Sequence, residues 1–344
     1  MTAMSALVYE GPRTMTMRTV EVPRPAEGEV LVQVLYSGIC GSELSGFLGQ
    51  SSIRSAPLIF GHEIVGRIAD YGPGVDAEIA GGVGSAVVLN PLFSCRACSF
   101  CLSGKQQLCP KRKLLGASLP GGNAEFVAVP MKGVHSLPDD SDLAIAALGE
   151  PTAYAIHAVR ASRAGAGDNA LIVGAGPIGL FIAKVLIQYG VQPIWVAERN
   201  DSRRAAAAAT GAVIVESDEH VAQAVRAASG GSGVHIAFDA VGSPATRLAC
   251  VESVMPGGTV ILSGLHTDQT TLPMNAIVRS EICLAGAFAY TPEDFAMALD
   301  WLQSGRLAID FDIVKAPLSE GQRWYERLVE GDPTVKVMLE PGAS

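Results

Sequence analysis

The stretch ALIVGAGPIG, residues 170–179, decides the fold of the second half of the chain. An apolar run that predicts a β-strand leads into the pattern G-x-G-x-x-G at Gly174, Gly176 and Gly179, and a further apolar run predicts a helix. These glycines permit a tight turn, so that a pyrophosphate group can lie against the free amide groups of the helix N-terminus. The stretch therefore predicts a dinucleotide-binding unit, with a glycine turn of an unrelated α/β protein as the alternative.

The residues around this turn predict which dinucleotide binds. Pro177 and Ile178 complete the turn, and Glu198 ends the next predicted strand about 20 residues later, where an acid accepts hydrogen bonds from the adenosine ribose. Arg199 and Arg203 follow it and offer guanidinium groups that would suit a 2′-phosphate. Because a carboxylate repels that phosphate, the sequence favours NAD and leaves NADP as the alternative.

The pattern along the 344 residues predicts an α/β protein with two domains. Residues 30–129 contain short strands broken by glycine and proline, which favours an irregular β-rich domain or a partial barrel. Residues 170–289 alternate between strands and helices, which predicts a parallel sheet with helices on both faces. Residues 292–344 contain a helix and a last strand that we expect to return to the first domain.

Composition argues against several classes of partner. The net charge of -9 argues against nucleic acid, whose phosphates require clustered lysines and arginines. The longest apolar run, residues 170–183, is short and broken by glycines and a proline, so no membrane span is predicted. The first residues lack the basic and apolar regions of a signal peptide, and we therefore expect a cytoplasmic protein with reduced thiols.

Four of the seven cysteines lie within fifteen residues, at Cys95, Cys98, Cys101 and Cys109. Four thiolates in one loop suit a tetrahedral zinc ion and leave no open coordination position, so the spacing predicts a structural metal site. An iron–sulfur cluster is the first alternative, because a proline follows Cys109 as in bacterial ferredoxins, although the last spacer is seven residues here and three there. Reduced free thiols are the second alternative.

A second set of metal-ligand side chains is spread along the chain. Cys40 lies in GICGSEL, His62 and Glu63 lie in FGHEIVG, and Glu150 lies in GEP just before the dinucleotide-binding half. A catalytic zinc site requires three ligands of these types and one open position. Taken singly, Cys40 is as well explained by a buried apolar thiol, and His62 by a structural histidine.

Several motifs together resemble one protein family. They are CGSE, GHEIVGRIADYGPGV, the four-cysteine loop, GGNAEFV, GEPTAYAIHA, GAGPIG, DAVGSPAT and GAFAYTPEDF, and they cover nearly the whole length of the chain. In this order and spacing the chain resembles the zinc-containing medium-chain dehydrogenase/reductase family of alcohol and polyol dehydrogenases. It looks most like the branch of sorbitol, galactitol and threonine dehydrogenases, because Glu150 matches the glutamate near zinc in that branch.

The resemblance implies a particular architecture. A GroES-like β-rich catalytic domain is expected from residues 1–150 with 288–344, and a Rossmann-fold parallel-sheet domain from residues 151–287. The substrate cleft of such proteins lies where the two domains meet. The resemblance also implies a homodimer or homotetramer, because relatives pair their Rossmann sheets through the strand that corresponds to residues 280–288.

The resemblance further implies two zinc ions per chain and assigns their ligands. Cys40 and His62 match ligands of the catalytic zinc. Glu63 matches the third ligand or a reserve ligand, and Glu150 matches a carboxylate that binds zinc directly or through its water. The four cysteines of the loop match the structural zinc site.

By resemblance, the chain transfers a hydride between a secondary alcohol and NAD(P), with zinc as the Lewis acid that acidifies the substrate hydroxyl. Ser42 matches the hydroxyl that relays the proton, and a turn serine is the alternative. Many relatives continue the relay to a histidine at the position of Ser45, so the proton is expected to leave through Ser45, the ribose hydroxyl or water. Glu43 replaces the usual aspartate after the relay serine, which we interpret as a mild change.

Other differences from the family bear on the substrate. Sorbitol dehydrogenases have an arginine before the tyrosine of a late strand, whereas Ala289 precedes Tyr290 here, and Phe47 is expected to give the pocket an apolar wall. The substrate is therefore expected to be a polyol, cyclitol or sugar-like compound, with threonine, another amino alcohol, a simpler secondary alcohol or a ketone as alternatives. A non-catalytic NAD(P)-binding protein is the alternative from another class. The remaining cysteines, Cys250 and Cys283, are expected to be core thiols.

Overall fold

The structure is a computed structural model that describes residues 3–76, 81–216 and 220–342. Its chain divides into two units. The first unit contains Met1–Glu150, Thr291–Arg306 and Asp312–Ser344, and the second contains Pro151–Tyr290 and Leu307–Phe311. The chain therefore leaves the first unit, returns to it after Tyr290, and contributes one short further segment to the second unit.

The first unit is built mainly from short strands. They are β1 (Ala3–Gly11), β2 (Thr14–Glu21), β3 (Glu29–Gly38), β4 (Leu58–Ile59), β5 (Glu63–Tyr71), β6 (Ala86–Leu89), β7 (Leu92–Phe93), β8 (Lys113–Leu114), β9 (Phe126–Pro130) and β10 (Val134–Ser136), with β17 (Ile313–Pro317) and β18 (Lys336–Glu340) from the end of the chain. A three-stranded sheet has the order β2-β1-β4, and a seven-stranded sheet has the order β10-β6-β5-β3-β18-β17 with β9 paired to β3. The last strand of the chain thus lies beside β3, in the middle of the larger sheet, as the sequence predicted for the tail.

Alternation of side chains along these strands forms the core of the first unit. Val30, Val32 and Val34 of β3 point to one face and pack in a buried cluster with Ile64 of β5. Leu31 points to the opposite face and packs in a second cluster. Because successive residues of a strand face opposite sides, one strand contributes to two cores and is covered on both faces. This burial fixes the register of β3 and with it the position of Cys40, a candidate metal ligand that follows the strand.

Short helices complete the first unit. They are α1 (Gly41–Phe47), α2 (Ser99–Leu102), α3 (Leu143–Ala146), α10 (Pro292–Gln303) and α11 (Gly321–Val329), while α4 (Gly149–Ser162) begins in this unit and continues in the second. The N-terminus of α10 is closed by a capping box, in which the side chains of Thr291 and Asp294 accept each other's main-chain N–H groups.

The second unit contains a parallel six-stranded sheet. Its strands are β11 (Ala170–Val173), β12 (Ile194–Glu198), β13 (Val213–Glu216), β14 (Val234–Asp239), β15 (Val254–Leu262) and β16 (Cys283–Gly286), in the order β13-β12-β11-β14-β15-β16. The helices between them are α5 (Pro177–Gln188), α6 (Asp201–Ala209), α7 (Val221–Ala228), α8 (Pro244–Ser253) and α9 (Met274–Arg279). This doubly wound order reverses between β11 and β14, and ligands bind at such a reversal. The predicted α/β class, a β-rich unit with a parallel-sheet unit, is confirmed.

The glycine turn between β11 and α5 has the geometry that its sequence predicts. Gly174 adopts a left-handed backbone with φ of 99°, which disfavours any residue with a Cβ atom. A Cβ atom on Gly179 would lie 1.9 Å from the Gly174 carbonyl oxygen, so no larger residue fits there. Pro177 is at the first helical position, where its missing N–H group is not needed.

One sequence-based expectation about the cysteines is wrong. Cys250 of α8 is fully buried, as expected, but Cys283 is exposed. Cys283 begins β16, which is the last strand of the sheet on that side among the described residues, and an edge strand leaves part of its side chains in solvent. Among the same residues, no helix has both the length and the apolar character that a membrane crossing requires.

Candidate metal and dinucleotide sites

Two neighbouring strands bring the predicted catalytic ligands together. Cys40 follows β3 and is the N-cap residue of α1, while His62 precedes β5 and Glu63 begins it. β3 and β5 are antiparallel, and their register places Gly38 opposite Glu63. The end of one strand and the start of the other therefore lie side by side, which brings residues distant in sequence into one cluster.

The three side chains form a group with the composition of an open metal site. The ligand atoms of Cys40, His62 and Glu63 all lie within 4.8 Å of one another. His62 and Glu63 are buried, and Cys40 is half-buried. One thiolate, one imidazole and one carboxylate are three ligands of the types that a catalytic zinc ion uses, which leaves its fourth coordination position for substrate. The sequence analysis named all three residues.

Glu150 is placed differently. It lies in the first turn of α4 and is half-buried. It does not belong to the group of three whose ligand atoms lie within 4.8 Å of one another. A role for Glu150 at the metal stays a prediction.

A buried carboxylate that the sequence analysis regarded as a mild change orients His62. Glu43 Oε1 lies 2.6 Å from His62 Nδ1 and accepts the Gly61 N–H at 3.0 Å, while Tyr325 donates its hydroxyl to Glu43 Oε2 at 2.7 Å. Glu43 is fully buried. With Nδ1 donating to Glu43, the Nε2 atom of His62 is the one available to a metal, the usual arrangement of a ligating histidine.

A chain of hydrogen bonds supports Glu43 in turn. Asn123 donates from its side-chain amide to the Tyr325 hydroxyl at 3.1 Å, and Ser37 donates its hydroxyl to Asn123 Oδ1 at 2.7 Å. Ser37, Asn123 and Tyr325 are fully buried. A buried network with partners for its polar groups fixes one side-chain arrangement. Sequence reasoning missed these three residues, since nothing local to them indicates a metal site.

The charges in this network shift the ionisation of both partners. Burial alone would raise the pKa of Glu43, but the charge of His62 and its hydrogen bond, with contributions from Arg54 and Tyr325, lower it to about 2. Burial alone would lower the pKa of His62, but the charges of Glu43 and Cys40 raise it well above its usual value. Glu43 is therefore an anion at neutral pH, ready to support a positive charge at the site.

Glu63 has a charged partner of its own. Its Oε2 atom forms a buried ion pair with Nζ of Lys336, which also donates to the Ile39 carbonyl at 3.0 Å. Burial raises the pKa of Glu63, and the charges of Lys336 and His62 offset part of that rise. Lys336 is 2% exposed, which is rare for a lysine without a specific partner. The only sign of this role in the sequence is that Lys336 is a charged residue at the start of the apolar strand β18.

Ser42, the predicted relay residue, lies beside the cluster. Its hydroxyl donates to Cys40 Sγ at 3.6 Å and accepts a hydrogen bond from Arg54 Nη2 at 3.3 Å. Ser42 is exposed, so its hydroxyl also reaches solvent. Ser45 is half-buried on the same helix.

The expectation that Phe47 lines a pocket is wrong. Its side chain is fully buried in the core of the first unit, where its ring centre lies 5.5 Å from that of Tyr325. Phe47 ends α1, and the helix directs it inward beneath the network of Glu43. Ala289 has a left-handed backbone with φ of 49°, and Tyr290 after it is buried.

The four-cysteine loop forms a compact sulfur cluster. The sulfur of Cys98 lies 3.5 Å from that of Cys101 and 3.9 Å from that of Cys109, and Cys95 lies 3.9 Å from Cys101. A tetrahedral zinc ion with bonds of about 2.3 Å places its sulfurs about 3.8 Å apart. In an iron–sulfur cluster the four cysteines bind at least two iron atoms, so some of their sulfurs lie farther apart than the 4.8 Å within which all four lie here. The spacing therefore fits a single zinc ion.

Within the loop, the surroundings of Cys95 favour its thiolate, whereas burial and the neighbouring thiols raise the pKa of Cys98 to about 11. Main-chain N–H groups of Ala97 and Cys98 lower the pKa of Cys95 to about 6. All four cysteines are free of disulfides. Because thiolates are the metal-binding form, the loop is prepared for a cation and is closed to substrate once four sulfurs are bound.

The acid after β12 contacts the glycine turn. Glu198 Oε2 accepts the Ala175 N–H at 2.8 Å, and Oε1 accepts the N–H groups of Arg199 at 2.7 Å and Asn200 at 2.9 Å. These bonds fix the carboxylate at the end of the strand, where one acceptor position remains for a ribose hydroxyl. Arg199 is exposed and Arg203 half-buried at the start of α6.

An open thiolate–imidazole–carboxylate group in one unit and a dinucleotide turn in the other are the features of metal-dependent, nicotinamide-linked dehydrogenases. Residues 26–139 match the family "Alcohol dehydrogenase GroES-like domain", and residues 177–304 match "Zinc-binding dehydrogenase". The chain belongs to the zinc-containing medium-chain dehydrogenase/reductase family, which uses zinc and NAD(P).

Individual relatives are similar over their full length. L-galactonate-5-dehydrogenase of Escherichia coli K12 is 31% identical, over 95% of this chain and 96% of that protein. D-arabitol-phosphate dehydrogenase of Enterococcus avium is 32% identical, over 95% and 94% respectively. The solved structure of acetophenone reductase from Geotrichum candidum in complex with NAD has a TM-score of 0.90 at 25% identity, over 99% of this chain and 98% of that one. These similarities confirm the family that the motifs indicated.

Proposed function

We propose that the protein is a zinc-dependent oxidoreductase that transfers a hydride between a secondary alcohol of the polyol or sugar-acid type and NAD(P). The observation that carries this proposal is the group of Cys40, His62 and Glu63, whose ligand atoms lie within 4.8 Å of one another. Bound zinc would supply a Lewis acid that lowers the pKa of a substrate hydroxyl, and bound NAD(P)⁺ would accept the hydride, so that alcohol and NAD(P)⁺ become ketone, NAD(P)H and a proton.

Cys40 and His62 are the proposed permanent ligands of the catalytic zinc. Glu63 is the proposed third ligand, and its ion pair with Lys336 gives it an alternative partner when it does not bind the metal. Glu150 is the proposed further carboxylate, acting directly or through water. Ser42 is proposed to take the substrate proton and pass it to water, since its hydroxyl lies beside Cys40 Sγ and is exposed.

The four cysteines of the loop are the proposed ligands of a structural zinc. Their sulfur–sulfur distances of 3.5 to 3.9 Å support one tetrahedral ion. We also propose that residues 1–150 with 288–344 form the catalytic domain and residues 151–287 the dinucleotide-binding domain. The division of the chain into its two units supports this proposal.

NAD is the proposed physiological cofactor. Gly174, Gly176, Pro177, Ile178 and Gly179 would bind its pyrophosphate at the N-terminus of α5. Glu198 would accept a ribose hydroxyl and repel a 2′-phosphate. Arg199 and Arg203 follow Glu198 closely in the sequence. Their guanidinium groups would bind a 2′-phosphate, so we expect some activity with NADP as well.

The substrate class follows from the relatives. L-galactonate-5-dehydrogenase and D-arabitol-phosphate dehydrogenase are both named for polyhydroxylated carbon chains. We propose that a small polyhydroxylated secondary alcohol binds at the catalytic site as the substrate.

A homodimer or homotetramer in the cytoplasm is the proposed state in the cell. β16 is an edge strand, and edge strands commonly pair with a second copy of the same chain. All seven cysteines are free thiols, which suits a reducing compartment. Sedimentation of the purified protein would test the oligomer.

The direct test is the absorbance of reduced nicotinamide. Zinc-loaded protein is offered NAD or NADP with a panel of polyols, sugar acids, amino alcohols and simple secondary alcohols, and with the matching ketones in reverse. We expect turnover on polyhydroxylated substrates, with NAD at least about tenfold better in kcat/KM, and none for the variant Cys40→Ser, which should still bind NADH. Absence of turnover across the whole panel in both directions would overturn the proposal.

A further inference from the structure

A buried arginine lies beneath the proposed proton-transfer residue. Arg54 is 7% exposed and follows α1 in the segment that leads to β4. Its Nε donates to the Gly116 carbonyl at 2.9 Å, Nη1 donates to the Ser42 carbonyl at 3.1 Å, and Nη2 donates to Ser42 Oγ at 3.3 Å. A buried guanidinium is expensive to desolvate, so its presence requires specific partners.

The fold makes room for this side chain. Its Cζ atom lies 5.6 Å from the centre of the Phe60 ring, in reach of a cation–π interaction. A Cβ atom on Gly46 would lie 2.7 Å from Arg54 Cδ. Gly46 of α1 therefore provides the space in which the stem of Arg54 runs toward Ser42.

The chemistry of the guanidinium fixes the direction of the Ser42 hydroxyl. A guanidinium only donates hydrogen bonds and does not lose its proton in proteins. Ser42 Oγ must therefore accept from Arg54, and its own hydrogen points away, toward Cys40 Sγ at 3.6 Å. One lone pair of Oγ remains to accept the proton of a substrate hydroxyl. As that O–H bond forms, the hydrogen that Ser42 already carries turns from Cys40 Sγ toward water on the exposed side of Ser42 and is released there, so that Ser42 stays neutral.

We propose that Arg54 is a positioning residue for proton transfer, which holds the Ser42 hydroxyl between the metal cluster and solvent. It contacts the residue that carries the proton and takes no proton itself. This inference rests on the proposed function. It adds Arg54 as the neighbour that orients the relay serine, in a chain that has Ser45 where many relatives have a histidine. A purely structural role, in which Arg54 only joins its segment to α1, is the competing interpretation.

A double-mutant cycle separates the two roles. The variant Arg54→Lys keeps the charge and most of the stem, but one ammonium nitrogen does not reproduce the planar fork in which three separate nitrogens donate to the Gly116 carbonyl, the Ser42 carbonyl and the Ser42 hydroxyl. We expect kcat to fall about tenfold with the substrate KM within about twofold, and we expect the same substitution in a Ser42→Ala background to change kcat less than about twofold. The solvent deuterium isotope effect on kcat should rise in Arg54→Lys and not in the double variant.

Two further variants complete the experiment. Arg67→Lys is the matched control, because Arg67 also donates to a main-chain carbonyl, that of Gly84 at 2.8 Å, but is exposed. Its kcat should equal that of the wild type. Gly46→Ala displaces the Arg54 stem without removing its charge. We expect it to lower kcat in the wild-type background and to have little effect in the Ser42→Ala background, as for Arg54→Lys. This variant tests the inference if Arg54→Lys does not fold.

The outcomes distinguish this inference from the proposed function. An active wild type, with equal effects of Arg54→Lys in the wild-type and Ser42→Ala backgrounds, assigns Arg54 a structural role and overturns the inference alone. An unchanged kcat in both Arg54→Lys and Gly46→Ala overturns it as well. A wild type inactive on the whole substrate panel overturns the proposed function and the inference with it.

Discussion

His62 Nδ1 lies 2.6 Å from Glu43 Oε1, with both side chains buried. The contact determines which ring nitrogen is available to a metal, because Nδ1 donates to the carboxylate and leaves Nε2 with its lone pair. Glu43 in turn accepts from the Gly61 N–H and the Tyr325 hydroxyl, so it cannot rotate without losing several hydrogen bonds. A residue outside the candidate ligand set therefore orients a candidate ligand.

Glu43→Gln should weaken zinc binding at the catalytic site. The amide keeps an oxygen for the Nδ1–H group but removes the negative charge that supports His62, so we expect zinc affinity to fall about 10- to 100-fold. Competition with a fluorescent chelator measures the affinity. Glu10→Gln is the control. Glu10 also forms an ion pair, with its Oε1 atom 2.8 Å from Nε of Arg18, but it does not belong to the metal cluster. Equal zinc affinity in Glu43→Gln and wild type would refute the role of Glu43.

The ionisation of Glu43 predicts the direction of a pH effect on stability. Its pKa of about 2 in the folded protein lies below the ordinary value of 4.5. Such a carboxylate contributes stability fully above about pH 4.5 and loses that contribution as the pH falls toward 2. With chelator present throughout, the difference in unfolding free energy between wild type and Glu43→Gln should therefore shrink between neutral pH and about pH 3. Denaturant unfolding at several pH values measures it, and a constant difference would contradict the assignment.

Lys336→Met should destabilise the first unit strongly. With chelator present, so that no metal ion is bound at Glu63, the substitution leaves this carboxylate buried without its cation, and removing one partner of a buried ion pair costs about 3–5 kcal/mol. Urea unfolding measures this loss. The double variant Lys336→Met with Glu63→Gln has no unpaired charge and should recover most of the stability, while Lys132→Met, at the side of the Phe93 ring, is the control for loss of a lysine. No recovery in the double variant would show that Lys336 stabilises the fold by packing alone.

The fold was largely predictable because its signals are local. G-x-G-x-x-G between an apolar strand and a helix, and strands alternating with helices, specify the parallel sheet without knowledge of distant contacts. The segment Leu307–Phe311 was not predictable in this way. Its place in the second unit depends on contacts such as the ion pair of Asp310 with Lys184 at 2.7 Å, between residues far apart in sequence.

In the candidate site, too, residues with local sequence signals were predictable and residues that act through distant contacts were not. The candidate ligands were predictable, because Cys40 stands in a recognisable motif and His62 and Glu63 are adjacent in another. Their partners were not, because Tyr325 lies 282 residues from Glu43, and the only signal for Lys336 is one charge in an apolar strand. Phe47 was misplaced for a related reason: residue type predicts an apolar environment but not whether that environment is a pocket or a core.

Cys101→Ser should remove the structural zinc and leave the catalytic site in place. Three thiolates bind zinc less tightly than four, so we expect one zinc ion per chain instead of two and a fall in Tm of at least about 5 °C. Metal analysis and thermal unfolding measure these effects. Cys283→Ser, on the exposed edge strand, is the control and should keep two zinc ions and the wild-type Tm. Two zinc ions and the wild-type Tm in Cys101→Ser would contradict the assignment of Cys101 as a zinc ligand.

Glu198→Gln should change the preference between the two dinucleotides. The carboxylate accepts hydrogen bonds from three main-chain N–H groups, among them that of Ala175 in the glycine turn. The amide removes the negative charge and replaces one acceptor by a donor, so a ribose hydroxyl loses its partner while a 2′-phosphate is no longer repelled. We expect kcat/KM for NAD to fall about tenfold and that for NADP to stay equal or rise. Glu216→Gln, at the end of the adjacent strand β13, is the control, since Glu216 is exposed and occupies the position that pairs with Glu198 across the sheet. If both variants keep the wild-type ratio of the two kcat/KM values, Glu198 does not select the cofactor, and Arg199 and Arg203 become the residues to replace.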